Sequence, residues 1–325
     1  MDVSAMPTTN QPVIPVFFAI DDNYAPYLSV ALVSLIKNAS QHRQYEINIL
    51  SDQLNAQHQA ELAALATKNV HIQVVAMRPK FKQTMQAAHG KLRGDYETLT
   101  IYFRLFIADL FPQYDRAVYL DADVVLNSDV ADLYDQPLAD NLIAAVPDTF
   151  AADHAETITY VEQALGIPIG QYMNSGVLVI NMAAWRAHGF SDQFLHLLNT
   201  YNFNVLAPDQ DYLNLMTQGH ILQLPATWNA MPSHSTVVKN PALIHYSLFN
   251  KPWHYDDVAN DNYFWYYAEQ SPDIDQIVLT QAAYDEADKE KDRATEQGLL
   301  KAALAVVMAG ETNRLIAASK KAAVL

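Results

Sequence analysis

The chain contains 325 residues, half of them hydrophobic, and it carries a formal net charge of −16 at pH 7. That length is enough for one large α/β domain with a buried core, alone or with an added segment. The acidic balance argues against a nucleic-acid partner and against strong adsorption to anionic lipid, since both would require a basic surface. The absence of cysteine excludes disulfides and thiolate metal sites.

The amino-terminal residues 1–12 lack the basic start and apolar run of a signal peptide, and we expect them to be disordered. No uncharged apolar stretch approaches the roughly 20 residues that a membrane-spanning helix needs. The sequence therefore predicts a cytoplasmic protein. Peripheral contact with the inner face of the cell membrane is a second expectation.

Predicted strands and helices alternate from the start of the chain. Residues 13–20 form a β-branched and aromatic run typical of a buried strand, and a proline starts the predicted helix at 26–38. Further strands are predicted at 46–50 and 70–75, with a helix at 54–67 between them. This alternation favours a mostly parallel sheet covered by helices on both faces.

The clearest predicted strand covers residues 116–126, after a predicted helix at 100–110. The later elements are predicted strands at 142–146 and 176–181 and predicted helices at 183–199 and 209–216. From about residue 271 the chain becomes charged and helix-forming. We therefore divide it into an α/β domain at 13–270 and a helical C-terminal tail at 271–325, and we expect the tail to lie outside the core.

Two aspartates, Asp121 and Asp123, are two residues apart in the predicted strand, so their side chains share one face while Ala122 turns away. Adjacent carboxylates repel each other unless a cation lies between them, and Mg²⁺ or Mn²⁺ suits such oxygen ligands. The small Ala122 lets a ligand approach closely. The alternative is a solvated turn, with Asp129 and Asp132 as further surface acids.

Several more motifs accompany this pair in a fixed order: AIDDNY at 19–24, YFRL at 102–105, YMNSGVL at 172–178, DQD at 209–211, and HY at 245–246 with KPW at 251–253. Over roughly residues 13–256 the chain closely resembles glycosyltransferase family 8, which includes bacterial lipopolysaccharide galactosyl- and glucosyltransferases and the glycogenins. The resemblance implies a GT-A fold, a catalytic domain at 13–270, a UDP-hexose donor, Mn²⁺ (with Mg²⁺ as the other candidate) and a retaining mechanism.

The resemblance places Ala19, Asp21, Asn23 and Tyr24 in a uridine pocket after the first strand, where open α/β sheets bind nucleotides. Carboxylate and amide groups can read the edge of uracil, and Tyr24 can supply an aromatic face. The alternative is a polar turn that caps the next helix, a position that aspartate and asparagine favour.

Arg104 lies in a segment that is apolar on nearly every side, where an unpaired guanidinium would be costly. We expect it to contact the diphosphate or the metal-binding acids. The alternative is an internal salt bridge to Asp109 or Asp115.

His245 and Lys251 follow the last predicted apolar run of the domain. A neutral imidazole is a suitable third ligand for Mn²⁺, so His245 would complete the site of Asp121 and Asp123. Lys251 supplies a point positive charge for the leaving UDP, and it counts with the donor-binding as well as the catalytic residues. The alternative for His245 is a core histidine with satisfied hydrogen bonds.

The resemblance assigns Asn174 and Asp209 to the hydroxyls of the donor sugar, with Ser175 beside them in the donor site. Gln210 would lie beneath the anomeric carbon. Because an amide is a poor nucleophile, we expect departure and attack on the same face, with the Gln210 carbonyl stabilising positive charge. Asp148 is either a sugar or acceptor contact or a surface acid in a turn.

The chain departs from the family at Leu248, because the family usually has glycine three residues after the metal-binding histidine. A side chain there could move the loop away from the phosphates. This favours a second hypothesis, a catalytically weak or inactive UDP-sugar- or glycan-binding protein, whereas the complete set of site residues opposes it. A sugar nucleotidyltransferase is a third hypothesis, which the missing glycine-rich basic loop opposes.

Neither the choice between glucose and galactose nor the acceptor follows from the sequence, and the acceptor classes are glycan, glycolipid and glycoprotein. The tail ends with Arg314, Lys320 and Lys321 among apolar residues, after an acidic stretch. We expect the tail to mediate self-association or partner docking, with weak peripheral membrane contact as the second choice.

Overall fold

Nine strands are present in the computed structural model, which describes residues 12–51, 54–77, 99–201, 203–233 and 237–310. They are β1 (Ile14–Ala19), β2 (Tyr45–Ser51), β3 (Val70–Ala76), β4 (Ala117–Leu120), β5 (Val124–Leu126), β6 (Ile143–Ala145), β7 (Val177–Ile180), β8 (Ile221–Gln223) and β9 (Leu243–His245). Seven of them form one sheet in the order β3-β2-β1-β4-β7-β6-β8, while β5 and β9 form a separate antiparallel pair.

Within the large sheet, β7 runs against both of its neighbours, and the remaining pairings are parallel. The mostly parallel sheet predicted from the sequence is confirmed. Its helices are α1 (Ala25–Asn38), α2 (Ala56–Ala64), α3 (Ile107–Leu110), α4 (Val130–Tyr134), α5 (Thr149–Asp153), α6 (Ala155–Thr159), α7 (Met182–Ala187), α8 (Phe190–Tyr201), α9 (Pro208–Thr217), α10 (Asp261–Ala268), α11 (Ile274–Ala283) and α12 (Glu286–Ala309).

The central strand β1 is buried on both faces, which explains its unbroken apolar sequence. Val16 and Phe18 face one core together with Leu28 and other side chains of α1. Phe17 faces the second core, which includes Phe194 of α8. Each phenylalanine removed from water contributes about 1.5–3 kcal/mol, so the two cores hold this strand firmly in register.

The prediction of a single strand at 116–126 is wrong, because the chain turns at residues 121–123 and the apolar run is divided between β4 and β5. Both halves are fully buried, but in different sheets: β4 pairs with β1 and β7, whereas β5 pairs with β9. A continuous apolar run in the sequence does not distinguish one buried strand from two. The two aspartates therefore lie in a turn, not on a strand face.

Three predicted helices also differ from the observed ones. The helix predicted at 54–67 ends earlier, at Ala64, and the one predicted at 100–110 begins as a 3-10 helix at Leu99–Phe106 before α3. The helix predicted at 183–199 is divided into α7 and α8 at Gly189, whose φ of 59° lies in the left-handed region. Apolar periodicity continues through such a break, so the pattern alone did not reveal it.

The described part of the predicted C-terminal tail, residues 271–310, is helical and packs back onto the preceding structure. Ile277 of α11 is fully buried in a cluster with residues of α1 and α10. In α12, Ala303 and Val306 are buried against α6 and the π-helix Tyr160–Leu165. The boundary at residue 270 stays a prediction, and the expectations for residues 1–11 and 311–325, including Arg314, Lys320 and Lys321, lie outside the described residues.

Within the described ranges, no helix has both the length and the apolar composition that crossing a membrane requires.

The break at Gly189 provides a test of the division between α7 and α8. An added Cβ meets no atom within 4 Å at Gly189 or at Gly170, but only Gly189 has a left-handed backbone. We expect Gly189→Ala to lower the free energy of unfolding by about 1–2 kcal/mol, because an L-residue in this conformation is strained. Gly170→Ala is the matched control in denaturant unfolding. Equal stability of the two variants would contradict the assignment.

Candidate active site

The site lies at one edge of the large sheet, where four strand ends meet. Because β1, β4 and β6 run in the same direction, their carboxyl ends lead into Asp21, Asp121 and Asp148 at this edge. The reversed β7 presents its amino end here, and the Gly176 carbonyl just before it accepts from the Asp121 amide at 2.8 Å. The sheet topology thus gathers side chains that are far apart in the sequence.

Asp121, Asp123 and His245 come together at this edge. The pairing of β5 with β9 places His245 opposite Val124, and its Nε2 lies 3.2 Å from Asp123 Oδ1 and 3.8 Å from Asp121 Oδ2. One ligand atom from each of the three side chains lies within 4.8 Å of the others. Two carboxylates and an imidazole form a donor set suited to a divalent ion such as Mn²⁺.

Two further observations fit a metal ion at this position. Asp123 Oδ1 is buried and has no hydrogen-bond donor, although a buried carboxylate oxygen normally has one. Gly176 leaves the space open: an added Cβ would lie 2.3 Å from His245 Cε1 and 2.5 Å from Asp121 Oδ2. Ala122, between the aspartates, is buried in the core.

His245 is held in one orientation by Asn229, a residue that the sequence analysis missed. Asn229 Nδ2 donates to Asn174 Oδ1 at 3.0 Å, which turns its own Oδ1 toward His245 Nδ1 at 3.1 Å. Nδ1 therefore donates to Asn229, and the Nε2 lone pair faces the carboxylates, as a metal ligand requires. Asn229 belongs to no motif, and the bridge between the adjacent Ala230 and β9 brings it beside His245.

Arg104 is almost fully buried and contacts Asp121, one of the candidate metal-binding acids, as in one of the two predicted arrangements. Its Nη2 donates to Asp121 Oδ1 at 2.9 Å, its Nη1 donates to the Ser175 carbonyl at 2.8 Å, and its Nε lies 3.2 Å from Asp209 Oδ2. Asp115, considered as an alternative partner, instead binds Arg186.

Tyr119 is a second residue that the sequence analysis missed. Its hydroxyl donates to Asp121 Oδ1 at 3.0 Å, and the Arg104 guanidinium lies over its ring, 4.4 Å from the centroid. Tyr119 lies in β4 only two residues before Asp121, and this closeness in sequence was a signal that could have identified it.

Lys251 is buried beside Asp123, where its ammonium donates to Asp123 Oδ2 and, at 2.6 Å, to the Tyr246 carbonyl. Burial alone would raise the pKa of Asp123, but the neighbouring Lys251 ammonium opposes that effect and the pKa is lowered. Burial alone would lower the pKa of Lys251, but Asp123 raises it. Both groups therefore stay ionised at neutral pH.

The predicted donor-sugar residues form one hydrogen-bonded network. Asp148 Oδ2 accepts from Asn174 Nδ2 at 2.9 Å and from Gln210 Nε2 at 3.1 Å. Gln210 Oε1 accepts from the Ser175 amide, and Ser175 Oγ donates to Asp209 Oδ2, both at 2.9 Å. Asp148 also caps α5, accepting from the Ala151 amide, and it is buried, so the surface acid considered as the alternative is wrong. Its contact with the sugar or the acceptor stays a prediction.

The Asp-Gln-Asp motif divides into site residues and one structural residue. Asp211 is fully buried and accepts the hydroxyl protons of Tyr160 and Tyr172 at 2.7 and 2.6 Å. It therefore fastens the first turn of α9, while Asp209 and Gln210 face the network described above. Burial raises the pKa of Asp209, although Arg104 opposes that effect.

The candidate uridine residues line the loop after β1. Asp21 Oδ1 accepts from the Asn23 and Tyr24 amides at 3.0 and 3.2 Å, so this loop has the helix-capping geometry considered as the alternative. Ala19 is half-buried, whereas Asn23 and Tyr24 are exposed.

An aromatic series links this loop with the Lys251 loop. Tyr24 packs edge-on against Tyr27, which stacks on Trp253 with ring centroids 3.9 Å apart.

Leu248 adopts the backbone conformation that glycine would favour. Its φ is 56°, and its side chain is half-buried. The loop thus follows a left-handed path in spite of the substitution, at a cost of about 1–2 kcal/mol for an L-residue. Lys251 reaches Asp123 at the end of this loop.

A sequence-family model described as Glycosyl transferase family 8 matches residues 15–257, and this match decides the family of the chain. The chain belongs to this family. General stress protein A of Bacillus subtilis is 26% identical over 270 residues, which cover 76% of this chain and 90% of that protein. A lipopolysaccharide 1,2-glucosyltransferase of Escherichia coli is 27% identical over 266 residues, covering 77% of this chain and 76% of that enzyme.

The galactosyltransferase LgtC, solved with donor and acceptor sugar analogues, superimposes with a TM-score of 0.65 at 26% identity, covering 80% of this chain and 96% of LgtC. Another LgtC structure is of an active-site variant with glutamate in place of glutamine. The bifunctional glycosyltransferase WbbM superimposes with a TM-score of 0.71 at 23% identity, and the match covers 86% of this chain and 53% of WbbM. This similarity is one of fold. The chain is a glycosyltransferase with the GT-A fold, and its Asp121-Asp123-His245 group is a potential site for a divalent metal.

The space above Gly176 can be tested directly. Gly176→Ala would push its methyl group into His245 and Asp121. Since even indirect disturbance of a metal ligand weakens affinity by about 10–100-fold, we expect at least that loss of Mn²⁺ affinity. Electron paramagnetic resonance of Mn²⁺ titrations measures it, with Gly170→Ala as the control. Unchanged Mn²⁺ affinity in the Gly176 variant would show that the ion does not bind here.

The strain at Leu248 can be tested with two replacements, one polar and one apolar. Asparagine tolerates the left-handed region, whereas a β-branched valine does not. We expect Leu248→Val to unfold with about 1 kcal/mol less free energy than Leu248→Asn in denaturant titrations. A valine variant at least as stable as the asparagine variant would rule out the left-handed conformation.

Proposed function

We propose that the chain transfers a hexose, glucose or galactose, from a UDP-sugar to a glycan, glycolipid or glycoprotein acceptor with retention of the anomeric configuration. The observation that carries this proposal is the convergence of Asp121, Asp123 and His245 with Lys251 at the sheet edge. The sugar-transferring relatives support it, since they include lipopolysaccharide glucosyl- and galactosyltransferases. UDP as the leaving group and retention come from the family resemblance.

Charge compensation for the leaving diphosphate is the main task of this site. Asp121, Asp123 and His245 would hold Mn²⁺, with Mg²⁺ as the other candidate, and the ion would supply positive charge to the phosphate oxygens. Lys251 Nζ adds a second positive charge next to Asp123, where negative charge grows as the glycosidic bond of the donor breaks. Arg104 orients Asp121 through a charge-assisted hydrogen bond.

The donor sugar would lie against Asn174, Asp209 and Gln210, beside Asp148. Both ends of the Gln210 amide are fixed, because Oε1 accepts from Ser175 and Nε2 donates to Asp148. Oε1 keeps a second lone pair, which can face positive charge developing at the anomeric carbon. This supports attack and departure on one face, and LgtC likewise has a glutamine in its active site.

Uridine would occupy the loop that contains Ala19, Asp21, Asn23 and Tyr24, next to the metal site. The shared edge of β1 and β4 and the aromatic series from Tyr24 to Trp253 support this placement. The C-terminal tail would contribute self-association or partner docking, with weak peripheral membrane contact as the second choice, and the protein would act in the cytoplasm.

A catalytically weak or inactive UDP-sugar- or glycan-binding protein is the second candidate. The observation that favours it is the strained Leu248 in the loop between His245 and Lys251. The complete set of metal-site and donor-site side chains favours the enzyme.

Release of UDP from a panel of UDP-sugars, with and without Mn²⁺, tests the proposed function. We expect Mn²⁺-dependent hydrolysis of one UDP-hexose, and we expect Asp123→Ala to reduce it by at least about 100-fold because that ligand lies at the reacting diphosphate. Asp132→Ala is the matched control, since Asp132 is an exposed acid outside the site. UDP-sugars that bind but never turn over, even with saccharide acceptors present, would favour the binding protein.

A further inference from the structure

The short segment that begins at Lys251 is covered by helices that follow the region matched by the family model. The family match ends at residue 257, while α11 and α12 extend from Ile274 to Ala309. We call residues 251–255 the Lys251 segment. Contacts between this segment and the two C-terminal helices are therefore additions to the region that the family model covers.

The backbone position of Lys251 depends on the two residues that end this segment. The Lys251 carbonyl accepts from the His254 and Tyr255 amides, both at 3.0 Å. These two hydrogen bonds form a tight turn. The orientation of His254 and Tyr255 therefore fixes the direction in which the Lys251 side chain extends from the backbone.

Both rings of that turn are held by the C-terminal helices. His254 stacks on Tyr284 with ring centroids 3.8 Å apart and planes 4° from parallel. Tyr255 and Tyr284 both donate their hydroxyl protons to one oxygen, Oδ2 of Asp292 in α12, at 2.9 and 2.6 Å. A carboxylate that accepts two hydroxyl protons forms charge-assisted bonds, which are about twice as strong as neutral ones.

Two more contacts connect the same elements. Gln281 Nε2 of α11 donates to the Pro252 carbonyl at 3.1 Å. The Lys289 ammonium of α12 lies over the Tyr255 ring, 5.8 Å from its centroid. The Lys251 segment is thus attached to α11 through its backbone and to α12 through its side chains.

The loop that precedes the segment needs such an attachment. Leu248 lies between His245 and Lys251 in a left-handed conformation, with φ at 56°. A strained residue persists only where the surrounding structure over-determines it, and release of Leu248 would move Lys251 away from Asp123. The anchor formed by Tyr284 and Asp292 is placed to prevent this movement.

We propose that Asp292 and Tyr284 are positioning residues, which hold the Lys251 segment so that the ammonium of Lys251 stays at the diphosphate site. The proposal rests on the function proposed above for Lys251. Asp292 and Tyr284 do not touch the reacting atoms and act through His254 and Tyr255.

The test compares Asp292→Ala and Tyr284→Phe with Gln297→Ala, an exposed position on the same helix. We expect Asp292→Ala to lower kcat for UDP release by about 10–100-fold, since a displacement of about 1 Å can cost that much, with little change in donor KM. Tyr284→Phe keeps the ring stack and loses one hydrogen bond, so its loss should be smaller and in the same direction. Thermal unfolding checks that each variant is folded.

Amide hydrogen exchange supplies a readout that does not depend on turnover. We expect Asp292→Ala to accelerate exchange of the His254 and Tyr255 amides and to leave β4 and β7 unchanged. In a Lys251→Ala background, Asp292→Ala should cause no further loss of kcat, because both substitutions remove the same interaction.

The contrary outcomes distinguish a failure of the proposed anchor from a failure of the proposed role of Lys251. A slow Lys251→Ala variant together with unchanged turnover and exchange in Asp292→Ala would overturn the anchor and leave the proposed function standing. An additional loss in the double variant would show that Asp292 acts through another route, which also overturns the proposal. Full turnover by Lys251→Ala would refute the proposed role of Lys251 and, with it, the positioning role of Asp292.

Discussion

The compensation of negative charge at Asp121 and Asp123 is the constraint on which the site depends. Each carboxylate has its own cation: Arg104 donates to Asp121, and Lys251 donates to Asp123. These contacts leave Asp123 Oδ1 without a hydrogen-bond donor and facing His245. Cations beside neighbouring acids offset their mutual repulsion, and the oxygens that the cations do not contact can face a metal ion.

A network of buried polar side chains couples the candidate metal ligands to the residues proposed to contact the donor sugar. It runs from Asn229, which orients His245, through Asn174 to Asp148 and Gln210. In surroundings of low polarity each of these hydrogen bonds is costly to leave unmade, so the members fix one another. The geometry at the metal ligand and the orientation of the Gln210 amide are therefore parts of a single arrangement.

The sequence predicted the sheet class and the grouping of the charged residues, because β1, β4 and β7 are apolar throughout and have polar residues close to their ends. It did not predict the turn at Ala122, since two buried strands in different sheets read as one run. Asn229 was missed because its role arises from a bridge to β9, more than a hundred residues from Asp121. Local patterns specify elements, whereas long-range contacts specify which polar residues meet.

The shared oxygen of Asp292 has a consequence for dissecting the chain into recombinant fragments. A fragment that ends near residue 257, where the family match ends, would keep every candidate metal ligand and Lys251 itself. It would also expose Tyr255 and the apolar side chains that Ile277 covers, and it would free the turn behind Lys251. A minimal domain chosen from motifs alone would thus be incomplete, because part of the scaffold for its chemistry is encoded after the last motif.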